Sequence, residues 1–62
     1  MNNLKLVNSH SYGEESYGLV YINVNGEYEV WDIPQYGGEE RHQKTFSSCE
    51  LDDAIAYSKS FT

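Results

Sequence analysis

The chain has a single cysteine, Cys49, so no disulfide can close within it. With only His10 and His42 as further nitrogen or sulfur ligands, at no paired spacing, a classical zinc site is not expected either. Basic residues are also scarce: four Lys and Arg stand against ten Asp and Glu, for a net charge of −6. Phosphate contacts need clustered lysine and arginine, which argues against direct binding to nucleic acid. No apolar run approaches the roughly 20 residues of a membrane-spanning helix. The N-terminus, Met-Asn-Asn-Leu-Lys-Leu-Val, lacks the basic region and apolar core of an export signal. These features together lead to the expectation of a cytoplasmic protein with no membrane association. A chain of 62 residues makes one domain, 1–62, and its stability from core burial alone is small.

What the chain has in quantity is aromatic rings, with six Tyr, two Phe and one Trp. Most of the β-branched and aromatic residues fall in the stretch Tyr17 to Ile33, split by the hairpin dipeptide Asn25-Gly26. Two registers are open. A two-residue loop sets Val24 against Glu27, Ile22 against Glu29 and Val20 against Trp31. A three-residue loop, Val24-Asn25-Gly26, sets Ile22 against Tyr28 and Val20 against Val30. The second gathers apolar partners into cross-strand pairs and is preferred. It puts Val20, Ile22, Tyr28 and Val30 on one face, and Tyr17, Leu19, Tyr21, Glu29, Trp31 and Ile33 on the other.

Around this hairpin, Asn3 to Asn8 alternates as a first strand, and Ser9 to Ser16 reads as a polar connection. Pro34 stops the hairpin's second strand, Gln35 to Glu39 forms a loop, and Glu40 to Phe46 reads as a polar edge strand. Ser47 and Glu50 have the spacing of a capping box, with Phe46 and Leu51 as a hydrophobic staple, which predicts a helix beginning at Ser48. Leu51, Ala54, Ile55 and Ser58, extended by Phe61, form its sheet-facing stripe, while Glu50, Asp52, Asp53 and Lys59 match the helix dipole. The expected fold is α+β: a small antiparallel meander of three to four strands with one C-terminal helix across one face.

This order of elements, with Phe46, Ala54 and Tyr57 at the start and along the helix, resembles the integrase-arm type of DNA-binding domain over about the last 45 residues. Such domains read DNA with basic and aromatic side chains on the sheet. The corresponding strands here carry Glu27, Glu29 and Asp32, which repel phosphate, so no family is assigned on this basis.

No nucleophile, base and orienting group are gathered by any motif, so no enzymatic activity, catalytic residue, metal or cofactor is expected. Cys49 reads as a small residue in the helix's first turn, and His10 and His42 as solvated histidines. Gly37-Gly38 has no lysine or strand-to-helix setting and reads as a turn. The acids Glu14, Glu15, Glu39, Glu40, Glu50, Asp52 and Asp53 read as solvated charge, with a distributed electronegative surface that imitates a phosphate backbone as the sharper alternative.

Because one short helix covers one face of a sheet, the second apolar face is expected to take a partner. Tyr17, Leu19, Tyr21 and Trp31 are its expected anchors, and Glu29, Asp32, Glu39 and Glu40 its steering charges toward a protein with a basic or nucleic-acid-binding surface. The expectation is a small acidic protein that binds and modulates another, of the kind made by phages or mobile elements against host proteins, with DNA mimicry as one mode. The alternative is a structural module that forms a homodimer through that same face.

Overall fold

The computed structural model describes residues 4–11, 16–34 and 38–60. The chain forms β1 (Lys5–Ser11), β2 (Tyr17–Ile22), β3 (Tyr28–Ile33), β4 (Arg41–Phe46) and α1 (Leu51–Ser58). The strands make one antiparallel sheet in the order β1-β2-β3-β4, a meander in which each strand pairs with the next. The helix packs on one side of it, and a molecule 15 Å along its shortest axis has room for one such layer.

The central hairpin adopts the three-residue loop. Val20 stands opposite Val30 and Ile22 opposite Tyr28. The Asn23 N–H donates to the Glu27 carbonyl at 2.9 Å, and the Gly26 N–H donates to the Asn23 carbonyl at 3.0 Å, closing a turn that ends on Gly26 at φ 79°. That left-handed conformation is accessible to glycine at little cost. The Asn23 side chain reinforces the turn by accepting the N–H groups of Asn25 and Glu27 at 2.9 and 3.0 Å.

The core lies between the sheet and α1. Val20, Val30 and Ala54 are fully buried, with Phe46 beside them and Tyr28, Leu51, Ile55 and Tyr57 packed around. Each buried valine contributes roughly 1.5–3 kcal/mol of apolar burial. Ala54 lets the helix backbone approach the two valines closely. Ser58, also fully buried, satisfies its hydroxyl by donating to the Ile55 carbonyl at 2.7 Å.

Two boundaries depart from the sequence expectation. β1 extends through Ser11: Ser9, His10 and Ser11 pair with Leu19, Gly18 and Tyr17, so the polar connection is shorter than expected and His10 is half-buried in a strand. The ladder is satisfied by backbone atoms, and polar side chains at an edge do not prevent it. The helix begins at Leu51, three residues after the expected start. The Ser47 N–H does donate to Glu50 Oε1 at 3.0 Å, but the Glu50 N–H is taken by the Ser47 carbonyl at 3.0 Å. This closes a tight turn over Ser48 and Cys49 ahead of the helix. Cys49 is therefore exposed in that turn and not within the helix. Phe46 lies in the core cluster and Leu51 packs against that cluster, but with Glu50 at the helix cap the two do not hold the positions of a hydrophobic staple. The expectations for Asn3, for Tyr12 to Glu15, for Gln35 to Gly37 and for Phe61 concern residues outside the described ones.

Candidate functional site: the helix-free sheet face

Period-two alternation and the observed register divide the sheet's side chains between two faces. Lys5, Ile22, Tyr28 and Phe46 form one cross-strand row on the helix side, and Asn8, Val20, Val30 and Lys44 the next, followed by His10, Gly18, Asp32 and Arg41. The opposite, open face carries three rows. They are Leu6, Tyr21, Glu29 and Thr45; then Ser9, Leu19, Trp31 and His42; then Ser11, Tyr17 and Ile33.

The rings of the open face are held in place by one another and by hydrogen bonds from their neutral donors to carboxylates. Trp31 meets Tyr21 edge-on, with centroids 6.3 Å apart and planes at 86°, and on its other flank sits 5.4 Å from the His42 ring. The indole Nε1–H donates to Glu29 Oε1 at 3.1 Å, and Asn23 Nδ2 donates to Glu29 Oε2 at 2.9 Å. Tyr21 extends over β3 so that its hydroxyl donates to Glu40 Oε1 at 2.7 Å. Burial, and then the adjacent Glu40 carboxylate, push the Tyr21 phenol up to about 12. His42 is exposed and shares a hydrogen bond with the Thr45 hydroxyl at 2.9 Å.

Leu19 is only 7% exposed although it lies on the side without the helix. By register its flanking side chains are Ser9 and Trp31 across the strands and Tyr17 and Tyr21 along its own strand. Trp31 and Tyr21, both half-buried, thus form a shallow second cluster over Leu19, and the more exposed apolar positions are Leu6 at 56% and Tyr17 at 38%.

Of the eight residues expected to meet a partner, Tyr17, Leu19, Tyr21, Glu29 and Trp31 share this face, and Glu40 joins it through Tyr21. Glu39 is exposed in the segment before β4. Asp32 is a correction. It lies on the helix side, largely buried, where Arg41 Nη2 donates to it at 3.0 Å and Gln43 Nε2 also donates. A carboxylate so paired is not a steering charge. The reason is alternation itself, which sets Asp32 with Val30 and against Trp31. The sequence reading also left out Leu6 and His42, which the register brings beside Tyr21 and Trp31 respectively.

Charge is distributed unequally between the two faces. All four Lys and Arg lie away from the open one: Lys5 and Lys44 stand in helix-side rows, Arg41 pairs with Asp32, and Lys59 ends α1. Lys44 Nζ rests 4.9 Å from the Phe46 ring centroid and 5.7 Å from that of Tyr57. The open face keeps Glu29 and, at its margin, Glu40. Among the described residues no group of three or more His, Cys, Asp or Glu is placed to hold a metal ion, and no helix is long and apolar enough to cross a membrane. Comparison with protein-family models, curated proteins and solved structures finds no match to this chain.

Proposed function

We propose that the protein is a non-enzymatic binder that uses its open sheet face to engage a protein with a basic surface, and thereby modulates or blocks that protein. The observation that carries this reading is the sidedness of the basic residues: Trp31, Tyr21 and Tyr17 stand with Glu29 on the helix-free face, and every Lys and Arg lies elsewhere. Tyr and Trp are frequent anchors of protein interfaces, and a single-sign rim accelerates encounter with an oppositely charged partner. A basic nucleic-acid-binding surface is a natural target for such a face, and an inhibitor encoded by a phage or mobile element and acting in the host cytoplasm is the biological setting we favour.

The test is a pull-down from the native host followed by mass spectrometry, repeated with variants. Glu39→Lys with Glu40→Lys reverses charge at the margin of the open face, whereas Asp52→Lys with Asp53→Lys makes the same change on exposed helix positions. Loss of a captured protein with the first pair but not the second supports the reading. Equal loss with both pairs, or with neither, defeats it.

The alternative, a homodimer through the same face, would set each copy's Glu29 and Glu40 near the other's without an intervening base. Sedimentation at micromolar concentration distinguishes the two, since a stable dimer would favour self-association over a heterologous partner.

A further inference from the structure

Two carboxylates beside the open-face rings, Glu29 and Glu40, are held by neutral donors, and the Asn23 amide that serves Glu29 also reaches Glu27 Oε1 at 3.3 Å. Glu29 is half-buried and takes one N–H from the Trp31 indole on Oε1 and one from the Asn23 amide on Oε2. Glu40 takes the Tyr21 hydroxyl on Oε1. The ion pair of the described residues is Arg41 with Asp32, on the far side of the sheet, so neither glutamate has a cation against it. A carboxylate offers about four lone-pair sites, so each of these keeps acceptor capacity to spare. Between them stand the Trp31 and Tyr21 rings, fixed at right angles, with His42 on the other flank of Trp31.

We propose that Glu29, Trp31, Tyr21 and Glu40 form an arginine-recognition subsite, which a guanidinium of the partner protein completes by lying against the rings while donating to the two carboxylates. This rests on the reading of the open face as the partner-binding face and specifies what that face selects. Guanidinium is favoured over ammonium for physical reasons. It is planar, sheds its hydration more easily, stacks on aromatic faces and donates to carboxylates in a rigid fork, whereas lysine presents a compact, strongly hydrated point charge. The prearranged rings and carboxylates lose little side-chain freedom when such a group arrives.

The probe is a short peptide with one arginine, blocked at both ends, compared with its lysine and citrulline counterparts. Trp31 is the sole tryptophan, so its fluorescence and indole N–H resonance report on this subsite alone. The expected result is a saturable change with the arginine peptide, an affinity several-fold weaker for lysine, and no saturation with citrulline, which keeps the shape but has no charge. Glu29→Gln and Glu40→Gln, each checked for an unchanged thermal transition, should weaken arginine binding by roughly tenfold, as expected for loss of a charge-assisted contact. Asp52→Asn, the same charge change on α1, should leave it within twofold. Equal binding of citrulline, equal binding of lysine, or equal weakening by Asp52→Asn would overturn the subsite. Should the peptides fail while Glu39→Lys with Glu40→Lys still abolishes capture of a host protein, the face reading survives and the arginine subsite falls. Failure of both removes both.

Discussion

The Tyr21 hydroxyl, carried by β2, lies 2.7 Å from a carboxylate oxygen of Glu40, which precedes β4, so one side chain spans β3 and ties the two ends of the open face together. This contact has a measurable signature in alkali. The phenol holds its proton to about 12 in the folded chain, against the ordinary 10.0 when unfolded. Above pH 10 the unfolded chain therefore binds fewer protons than the folded one, and the stabilisation, complete below that pH, declines as pH rises toward 12. Tyr21→Phe should flatten this part of the pH–stability curve and remove from the absorbance titration a phenol that ionises near 12. Loss instead of a phenol that ionises near the ordinary 10.0 would mean that the contact is not formed in solution.

Val20 and Val30 pair directly across the hairpin and are both fully buried under α1. Val30→Ala should lower the unfolding free energy by about 2 kcal/mol, from lost transfer energy plus the cavity left behind. In a domain this small that is a large share of the total, and a urea titration should show a clearly earlier midpoint. A loss below about 0.5 kcal/mol would contradict the packing described.

Gly26 and Gly38 resist substitution for different reasons. At Gly26 an added Cβ would meet nothing, and the cost of Gly26→Ala is the left-handed backbone alone, about 1 kcal/mol. At Gly38 the added carbon would stand 2.7 Å from Pro34 Cγ, so the β3–β4 connection must shift to admit it. Gly38→Ala should therefore disturb the neighbouring Glu40–Tyr21 contact and be visible in the Trp31 environment by fluorescence, while Gly26→Ala should leave that environment unchanged.

Glu50 is held below the usual glutamate range by the Ser47 backbone amide and then by the Ser47 hydroxyl, at 3.0 and 3.1 Å. A depressed carboxylate stabilises the fold above its unfolded pKa and loses that contribution as pH falls through the folded value. Glu50→Gln should reduce thermal stability near neutral pH and narrow the gap to wild type in acid. A gap independent of pH would show that the turn ahead of α1 does not depend on the charge.

Asp32→Asn tests the reassignment of that residue. It should weaken the contacts with Arg41 and Gln43 and so lower stability, by roughly 1–2 kcal/mol. Partner capture should be unaffected, because the side chain lies across the sheet from Trp31. Loss of capture in a folded variant would return Asp32 to the interface.

Much of this architecture was legible because one face of each central strand must be buried. Only the three-residue loop kept Glu27 and Glu29 from opposing Val24 and Ile22, and that choice placed Tyr17, Tyr21 and Trp31 together on one face, although which face the helix covers did not follow from it. The same alternation also implied that Asp32 follows Val30; reading it instead as part of the acidic rim was an error of sequence proximity. Ser9 to Ser11 carried no signal for a strand, since an edge ladder is made by backbone groups that every residue possesses. The helix start was misplaced because Ser47 bonds Glu50 through its carbonyl as well as its amide, an alternative that the residue types do not distinguish. Neither the half-buried state of Trp31 and Tyr21 nor the tilted contact of His42 with Trp31 followed from composition, as both depend on how rings settle over Leu19 after the sheet has formed.

The register shifts of the two outer strands, between Leu6 and Asn8 in β1 and opposite Val30 and Trp31 in β4, interrupt the regular ladder at both margins. Such irregularities spoil the straight, unpaired border on which foreign strands would otherwise template. In this sheet the continuous ladder is thereby shortened on both outer strands, leaving the central hairpin as its one uninterrupted pairing.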